Sequence, residues 1–130
     1  MIKAFKKEYG WGVFAIEFIP SDEIIEICPV ILFPINEIGK DSDATVLSQY
    51  PFAWSKSEDA FVLGYGSLYN HSYDPNAWYK RDFDEQVIKI ISRKLIKAGE
   101  QITISYNGYN PDTGDMLPET EPLWFNVEKL

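Results

Sequence analysis

The chain has 130 residues, 45% hydrophobic and 15% aromatic, which is enough to bury the core of a globular protein. Its formal net charge of −8 argues against direct nucleic-acid binding, which relies on Lys and Arg against phosphate, and favours a basic protein partner. The sequence contains no apolar run of membrane-spanning length and no signal peptide. We therefore expect a single domain over residues 1–130 that is soluble, intracellular and not bound to a membrane.

Cysteine and histidine each occur once, as Cys28 and His71. An internal disulfide is impossible, which is typical of a protein from a reducing compartment. A Cys/His zinc site normally needs four such ligands, so we expect no metal centre of this kind. We expect Cys28 to be a plain apolar strand residue.

The predicted elements, taken in chain order, are short strands separated by turns. Lys3–Lys7 alternates, and Gly10–Ala15, with its two glycines, is typical of a turn opening into a strand. Further strands are predicted at 23–32, 50–54, 60–63, 77–81, 87–91 and 101–106. Pro29 predicts a sheet edge or a bulge within the first of these. No amphipathic helical pattern of ten residues is present, so the predicted fold class is mostly β.

The stretch Gly64–Asn76 differs from an ordinary connector. It contains His71, two glycines and three tyrosines. Glycine allows a close approach of the backbone, and the Asp-Pro-Asn at its end predicts a turn. One interpretation is a loop that grips a ligand. The other is a tight turn whose tyrosines lie on the edge of the core.

Three separated stretches, taken together, resemble one family. They are Gly10–Ala15 (GWGVFA), Asn70–Ala77 (NHSYDPNA) and Gly99–Tyr106 (GEQITISY). Their order and spacing resemble the SET-domain protein lysine methyltransferases, most closely the short stand-alone SET proteins of viruses and bacteria. The resemblance implies a β-clip-like fold of several small sheets with a knot-like C-terminal segment.

The resemblance also implies roles for individual residues. Those assigned to binding S-adenosylmethionine are Gly10, Trp11, Gly12, Asn70, His71 and Trp124, with Phe125 as the alternative to Trp124 as a cover for the adenine. Tyr106 matches the catalytic tyrosine, and Tyr50 and Tyr109 resemble residues of the lysine channel. The chain departs from many members at Ser105, where they have Asp, and at Tyr73, where they have Cys. It also lacks the zinc-binding cysteines that follow the domain in many histone enzymes.

The implied reaction is transfer of a methyl group from S-adenosylmethionine to a lysine amine of a basic protein, possibly a histone. A lysine amine with its ordinary pKa of about 10.4 is almost entirely protonated at pH 7, and it must lose its proton to attack. An aromatic channel lowers that pKa by desolvation and accepts methylated ammonium through cation–π attraction. Short relatives that pair suggest a homodimer. The alternatives are a non-catalytic module that binds the donor or a peptide, and a hydrolase that uses Ser72 and His71.

Overall fold

The computed structural model of the protein describes residues 1–35, 37 and 50–106. Within these ranges the chain forms nine strands and one short 3-10 turn, Gly66–Leu68. The strands are β1 Ile2–Lys7, β2 Gly10–Ala15, β3 Ile24–Pro34, β4 Phe52–Ala53, β5 Glu58–Val62, β6 Asn70–His71, β7 Ala77–Asp82, β8 Val87–Ser92 and β9 Gln101–Ile104. The prediction of a mostly β fold is confirmed.

The first sheet has the strand order β1-β2-β9-β6. Strands β1 and β2 form a hairpin closed by the pair Lys7 and Gly10, which leaves Glu8 and Tyr9 as the two-residue loop. The prediction that Gly10 to Gly12 form the turn is therefore wrong, because these glycines already belong to β2. Strand β6 pairs with β9 in parallel, which aligns His71 with Ile104.

The second sheet has the strand order β4-β5-β3-β8-β7. Its central strand, β3, pairs with β8 up to Pro29 and with β5 from Val30 onwards. The prediction of an edge at Pro29 is wrong, and the irregularity in register falls earlier, between Ile24 and Glu26. Proline is accommodated here because β3 changes partners at this residue, and the Pro29 carbonyl accepts the N–H of Leu63 at 2.9 Å.

The core draws on both sheets. Its fully buried members include Val13, Ile102 and Ile104 from the first sheet, Cys28, Ile88 and Ile90 from the second, and the bridging pair Ile19 and Ile96. Burial of each such aliphatic side chain contributes about 1.5–3 kcal/mol. Cys28 lies in this apolar surrounding, where burial and then the charge of Glu26 raise the pKa of its thiol. The cysteine is a core residue and not an ionised nucleophile.

Several predictions concern residues outside the described part of the chain. They are the channel residue Tyr109, the adenine covers Trp124 and Phe125, and the knot-like C-terminal segment. Among the described residues, the structure contains no helix with the length and apolarity needed to cross a membrane.

Candidate active site

Asn70 joins the first glycine-rich stretch to the second motif. Its side-chain amide nitrogen Nδ2 donates to the carbonyl of Trp11 at 3.0 Å and to Oε1 of Gln101 at 2.8 Å. Gln101 extends the contact through Nε2, which donates to the hydroxyl of Tyr9 at 3.2 Å. These bonds fix the main chain of β2 beside β6, although the two strands are not neighbours in the sheet.

The two glycines of β2 are needed for different reasons. A Cβ at Gly12 would lie 2.6 Å from Oε1 of Gln101 and 3.2 Å from Nδ2 of Asn70, so a larger residue would force the Gln101 side chain away from Asn70. Gly10 has a φ of +117°, which L side chains rarely adopt, and no atom lies within 4 Å of the position of its Cβ. The backbone at Gly10 therefore borders open space, next to a Trp11 side chain that is half exposed.

Asn76 performs a similar task on the other side of β9. This buried amide donates from Nδ2 to the carbonyl of Gln101 at 2.8 Å, and its Oδ1 accepts the N–H of Thr103 at 2.9 Å. The side chain thus takes the place of a neighbouring strand. Sequence reasoning included Asn76 only as a turn residue and assigned nothing to Gln101. Their roles depend on contacts at least 25 residues apart in the chain.

His71 and Tyr106 are in direct contact. His71 is 4% exposed, and its Nδ1 accepts the N–H of Tyr106 at 2.9 Å. The two ring centroids are 5.2 Å apart, and the ring of Tyr73 packs edge-on against the imidazole at 4.5 Å. Burial lowers the pKa of His71. At neutral pH the imidazole is therefore uncharged, with its proton on Nε2, because Nδ1 is the acceptor.

The hydroxyl of Tyr106 donates to the carbonyl of Tyr69 at 2.7 Å. Burial, and secondarily an electrostatic interaction with Tyr50, raises the pKa of Tyr106 to about 12. The phenol therefore keeps its proton near neutral pH, and that proton is directed at Tyr69. A phenol oxygen that donates its proton can also accept a hydrogen bond, which suits orientation of an amine better than removal of its proton.

Tyr69 is bound to Glu26, a residue to which the sequence analysis assigned no role. This tyrosine is 1% exposed, and its hydroxyl donates to Oε1 of Glu26 at 2.8 Å. The other carboxylate oxygen accepts the N–H of Tyr65 at 2.9 Å. The available signal was a single acidic residue inside an Ile-rich strand, two positions before the buried Cys28.

Ser72 has the contacts of a turn residue. Its hydroxyl oxygen accepts the N–H of Asp74 at 3.0 Å, and its own N–H donates to Ile104 at 3.0 Å. This arrangement closes the Asp-Pro-Asn turn and does not favour a nucleophile. Within the described ranges, no group of three or more His, Cys, Asp or Glu residues is placed to hold a metal ion.

Comparison with known proteins assigns the chain to a family. The model of the SET domain matches residues 10–107. A histone-lysine N-methyltransferase of Schizosaccharomyces pombe, specific for lysine 37 of H3, is 38% identical over 92% of this chain and 72% of its own length. A Cryptococcus neoformans var. grubii enzyme specific for lysine 9 of H3 is 39% identical over 52% of this chain and 4% of its own.

A solved structure gives the same result. A candidate histone methyltransferase of Plasmodium falciparum superposes with a TM-score of 0.65 at 32% identity, covering 85% of this chain and all of its own. The chain belongs to the SET-domain family. Membership confirms the predicted class of enzyme, a protein-lysine N-methyltransferase, in a family that uses S-adenosylmethionine.

Proposed function

We propose that the chain methylates a lysine side chain in a histone tail, or in a similarly basic protein segment, with Tyr106 as the catalytic residue. The observation that carries this proposal is the position of Tyr106. Its hydroxyl donates a hydrogen bond to the Tyr69 carbonyl at 2.7 Å, and its ring packs on His71. An oxygen held in this way accepts a hydrogen bond from the lysine amine and aligns it. Alignment of reacting groups is a large source of acceleration.

The residues present fit S-adenosylmethionine. The backbone at Gly10 borders open space, Trp11 is half exposed beside it, and Asn70 ties this segment to β6. We assign donor binding to the main chain of Gly10, Trp11 and Gly12 and to the Asn70–His71 segment. When bound, the donor supplies an electrophilic methyl group on a positively charged sulfur. Trp124, or Phe125, remains the proposed cover of the adenine.

The lysine must lose a proton before it reacts. Tyr50 lies close enough to Tyr106 to affect the pKa of that residue, so we propose that the two phenols line the channel through which the lysine enters. Tyr109 is proposed for the same channel. An aromatic lining lowers the pKa of the lysine amine by desolvation, and it adds no group that competes for the methyl.

Charge supports a basic substrate. The chain carries a net charge of −8, which attracts a Lys-rich and Arg-rich segment over a distance of about 8–10 Å at physiological ionic strength. The two curated relatives act on histone H3. A histone substrate implies an intracellular enzyme that acts where chromatin is found, through the protein component and not through direct contact with nucleic acid.

The competing proposal is a SET-like module that binds the donor or a peptide without turnover. One experiment separates the two: incubation of the protein with methyl-labelled S-adenosylmethionine and a panel of purified core histones and other basic proteins. We expect label on lysine in the parent and a loss of at least 100-fold in Tyr106→Phe. Tyr73→Phe, which keeps the ring packed against His71, is the matched control. Donor binding without label on any lysine would favour the binding module.

A homodimer is a further proposal. Ile27 and Ile31 lie on one face of β3 and are 55% and 54% exposed, and Leu63, beside Pro29, is 43% exposed. An aliphatic surface of this kind suits a self-complementary contact between two copies. Sedimentation at high concentration should show a dimer in the parent and a monomer in Ile31→Lys. A parent that remains monomeric would remove the proposal.

A further inference from the structure

Glu26 reaches from the second sheet into the polar turn that precedes β6. Its backbone belongs to β3, within the five-stranded sheet, whereas Tyr65 and Tyr69 flank the 3-10 turn Gly66–Leu68. One carboxylate oxygen accepts the Tyr69 hydroxyl at 2.8 Å, and the other accepts the Tyr65 N–H at 2.9 Å. A single carboxylate therefore holds both ends of the turn. Both partners are donors, which suits the acceptor oxygens of a carboxylate.

The turn is packed closely around this carboxylate. Gly64 has a φ of +66°, and a Cβ at this position would overlap Oε2 of Glu26. A Cβ at Gly66 would overlap the side chain of Val62. The Ser67 hydroxyl donates to the Val62 carbonyl at 2.9 Å and closes the turn from the other side. The Gly-Tyr-Gly sequence of this stretch thus has a physical reason, because it admits Glu26 and Val62.

Tyr69 connects this turn to the proposed catalytic residue. Its hydroxyl is held by Glu26, and its carbonyl accepts the hydroxyl of Tyr106 at 2.7 Å. Burial, followed by the charge of Glu26, raises the pKa of Tyr69, so its phenol remains a donor. The two hydrogen bonds form a continuous path from β3 to the Tyr106 oxygen, across 43 residues from Glu26 to Tyr69 and 37 from Tyr69 to Tyr106.

We propose that Glu26 is a positioning residue for methyl transfer: its carboxylate fixes Tyr69, and the Tyr69 carbonyl then sets the direction of the Tyr106 hydroxyl. This inference rests on the proposed role of Tyr106. With Glu26 in place, the Tyr106 hydroxyl keeps donating to the Tyr69 carbonyl, and this bond holds the phenol oxygen in one orientation. Without it, the buried Tyr69 hydroxyl loses its acceptor and the turn shifts. A displacement of about 1 Å at a reacting group lowers a rate by about 100-fold.

The substitutions Glu26→Ala, Glu26→Gln and Tyr69→Phe test this inference. Alanine removes both acceptors. Glutamine keeps the shape, because its amide oxygen accepts the Tyr65 N–H while its amide nitrogen donates to the Tyr69 oxygen. Phenylalanine removes one hydroxyl and leaves the core ring in place. Glu23→Ala, at an exposed acidic residue just before β3, is the matched control.

The measurements are kcat and KM with labelled S-adenosylmethionine and purified core histones, together with calorimetric binding of S-adenosylmethionine alone. We expect kcat to fall at least tenfold in Glu26→Ala and Tyr69→Phe, with donor affinity within about threefold of the parent. Glu26→Gln should give a kcat between those of Glu26→Ala and the parent, because one amide oxygen can accept only one of the two donors, and Glu23→Ala should match the parent. A purely structural role would lower the amount of folded protein but leave the kcat of the folded fraction unchanged.

Failure of the proposed function can be distinguished from failure of the role proposed for Glu26. A parent that binds the donor but labels no lysine would overturn the proposed function. An active parent whose kcat is retained in Tyr69→Phe would overturn the role of Glu26 alone, and this variant decides the question even where Glu26→Ala does not fold.

Discussion

The two sheets of this protein are held together in different ways. In the five-stranded sheet, β7 and β8 pair over six consecutive positions, from Ala77 opposite Ser92 to Asp82 opposite Val87. In the four-stranded sheet the β1–β2 hairpin also pairs over six positions, but β9 pairs with β2 at two positions and with β6 at two. The side chains of Asn70, Asn76 and Gln101 supply contacts to the main chain and to one another around these short ladders.

This difference shows how a strand-rich fold leaves room for a site. A long ladder distributes its stability over many equivalent main-chain bonds, so no single side chain is decisive. A short ladder completed by amides leaves main-chain segments open to a ligand, but it depends on individual residues. We therefore expect polar substitutions in the four-stranded sheet to be more harmful than modest apolar substitutions in the five-stranded sheet.

The largest effect is expected at Asn76. The change Asn76→Ala removes the acceptor of the Thr103 N–H and the donor to the Gln101 carbonyl, both in buried surroundings. Each buried main-chain group left without its partner costs about 1–3 kcal/mol, so we expect a loss of about 2–5 kcal/mol in the free energy of unfolding. Urea denaturation measures it.

The matched change in the other sheet is Ile88→Val, which removes one methylene from a fully buried residue of β8. Its expected loss is about 0.5–1.5 kcal/mol. If Asn76→Ala and Ile88→Val lost the same free energy of unfolding, the proposed difference between the two sheets would be wrong.

An intermediate effect is expected at Gly12. Its replacement by alanine places a Cβ 2.6 Å from Oε1 of Gln101, which must move and release Asn70. We expect a loss of about 1–3 kcal/mol in stability and weaker binding of S-adenosylmethionine. A double-mutant cycle sharpens the test, because Gln101→Ala removes the atom that clashes.

In that cycle the two changes should be less than additive by at least about 0.5 kcal/mol. Strict additivity in urea denaturation would show that Gly12 and Gln101 do not compete for the same space.

The contrast also explains what could be predicted from the sequence. The run of Val and Ile in Val87–Ile91 located β8 to within one residue, because these β-branched residues are enriched in strands. The family resemblance brought Asn70, His71 and Tyr106 into one hypothesis, and the structure places His71 in contact with Tyr106. The strand prediction used one short stretch, and the resemblance used three short motifs.

The contacts that stabilise the site were not predictable in this way. Glu26 and Tyr69 are 43 residues apart, and an acidic residue in an Ile-rich strand looks locally like a solvated position. Gly10 to Gly12 were assigned to a turn because glycine signals turns, whereas the glycine at position 12 is required by the side chain of Gln101. Both errors have the same origin, since a packing partner distant in sequence overrides the local propensity.

The smallest effect is the dependence of stability on His71 protonation. Burial lowers its pKa in the folded state below the ordinary value of 6.5, so the unfolded state binds more protons than the folded state in mildly acidic solution. Stability from this residue is complete above about pH 6.5 and is lost as the pH falls towards the folded-state pKa. His71 is the only histidine, so no other imidazole contributes.

The variant His71→Gln tests this directly, because a glutamine oxygen can accept the Tyr106 N–H without titrating in this range. Urea midpoints measured from pH 8 to pH 5 should decline in the parent and stay flatter in the variant. The loss of stability over this pH range should be smaller than the losses expected for Asn76→Ala and Gly12→Ala. Parallel curves would mean that the imidazole is protonated equally in both states. The hydrogen bond from the Tyr106 N–H to Nδ1 would then not depend on a neutral imidazole. The stability of the four-stranded sheet would also depend less on single polar side chains than its short ladders suggest.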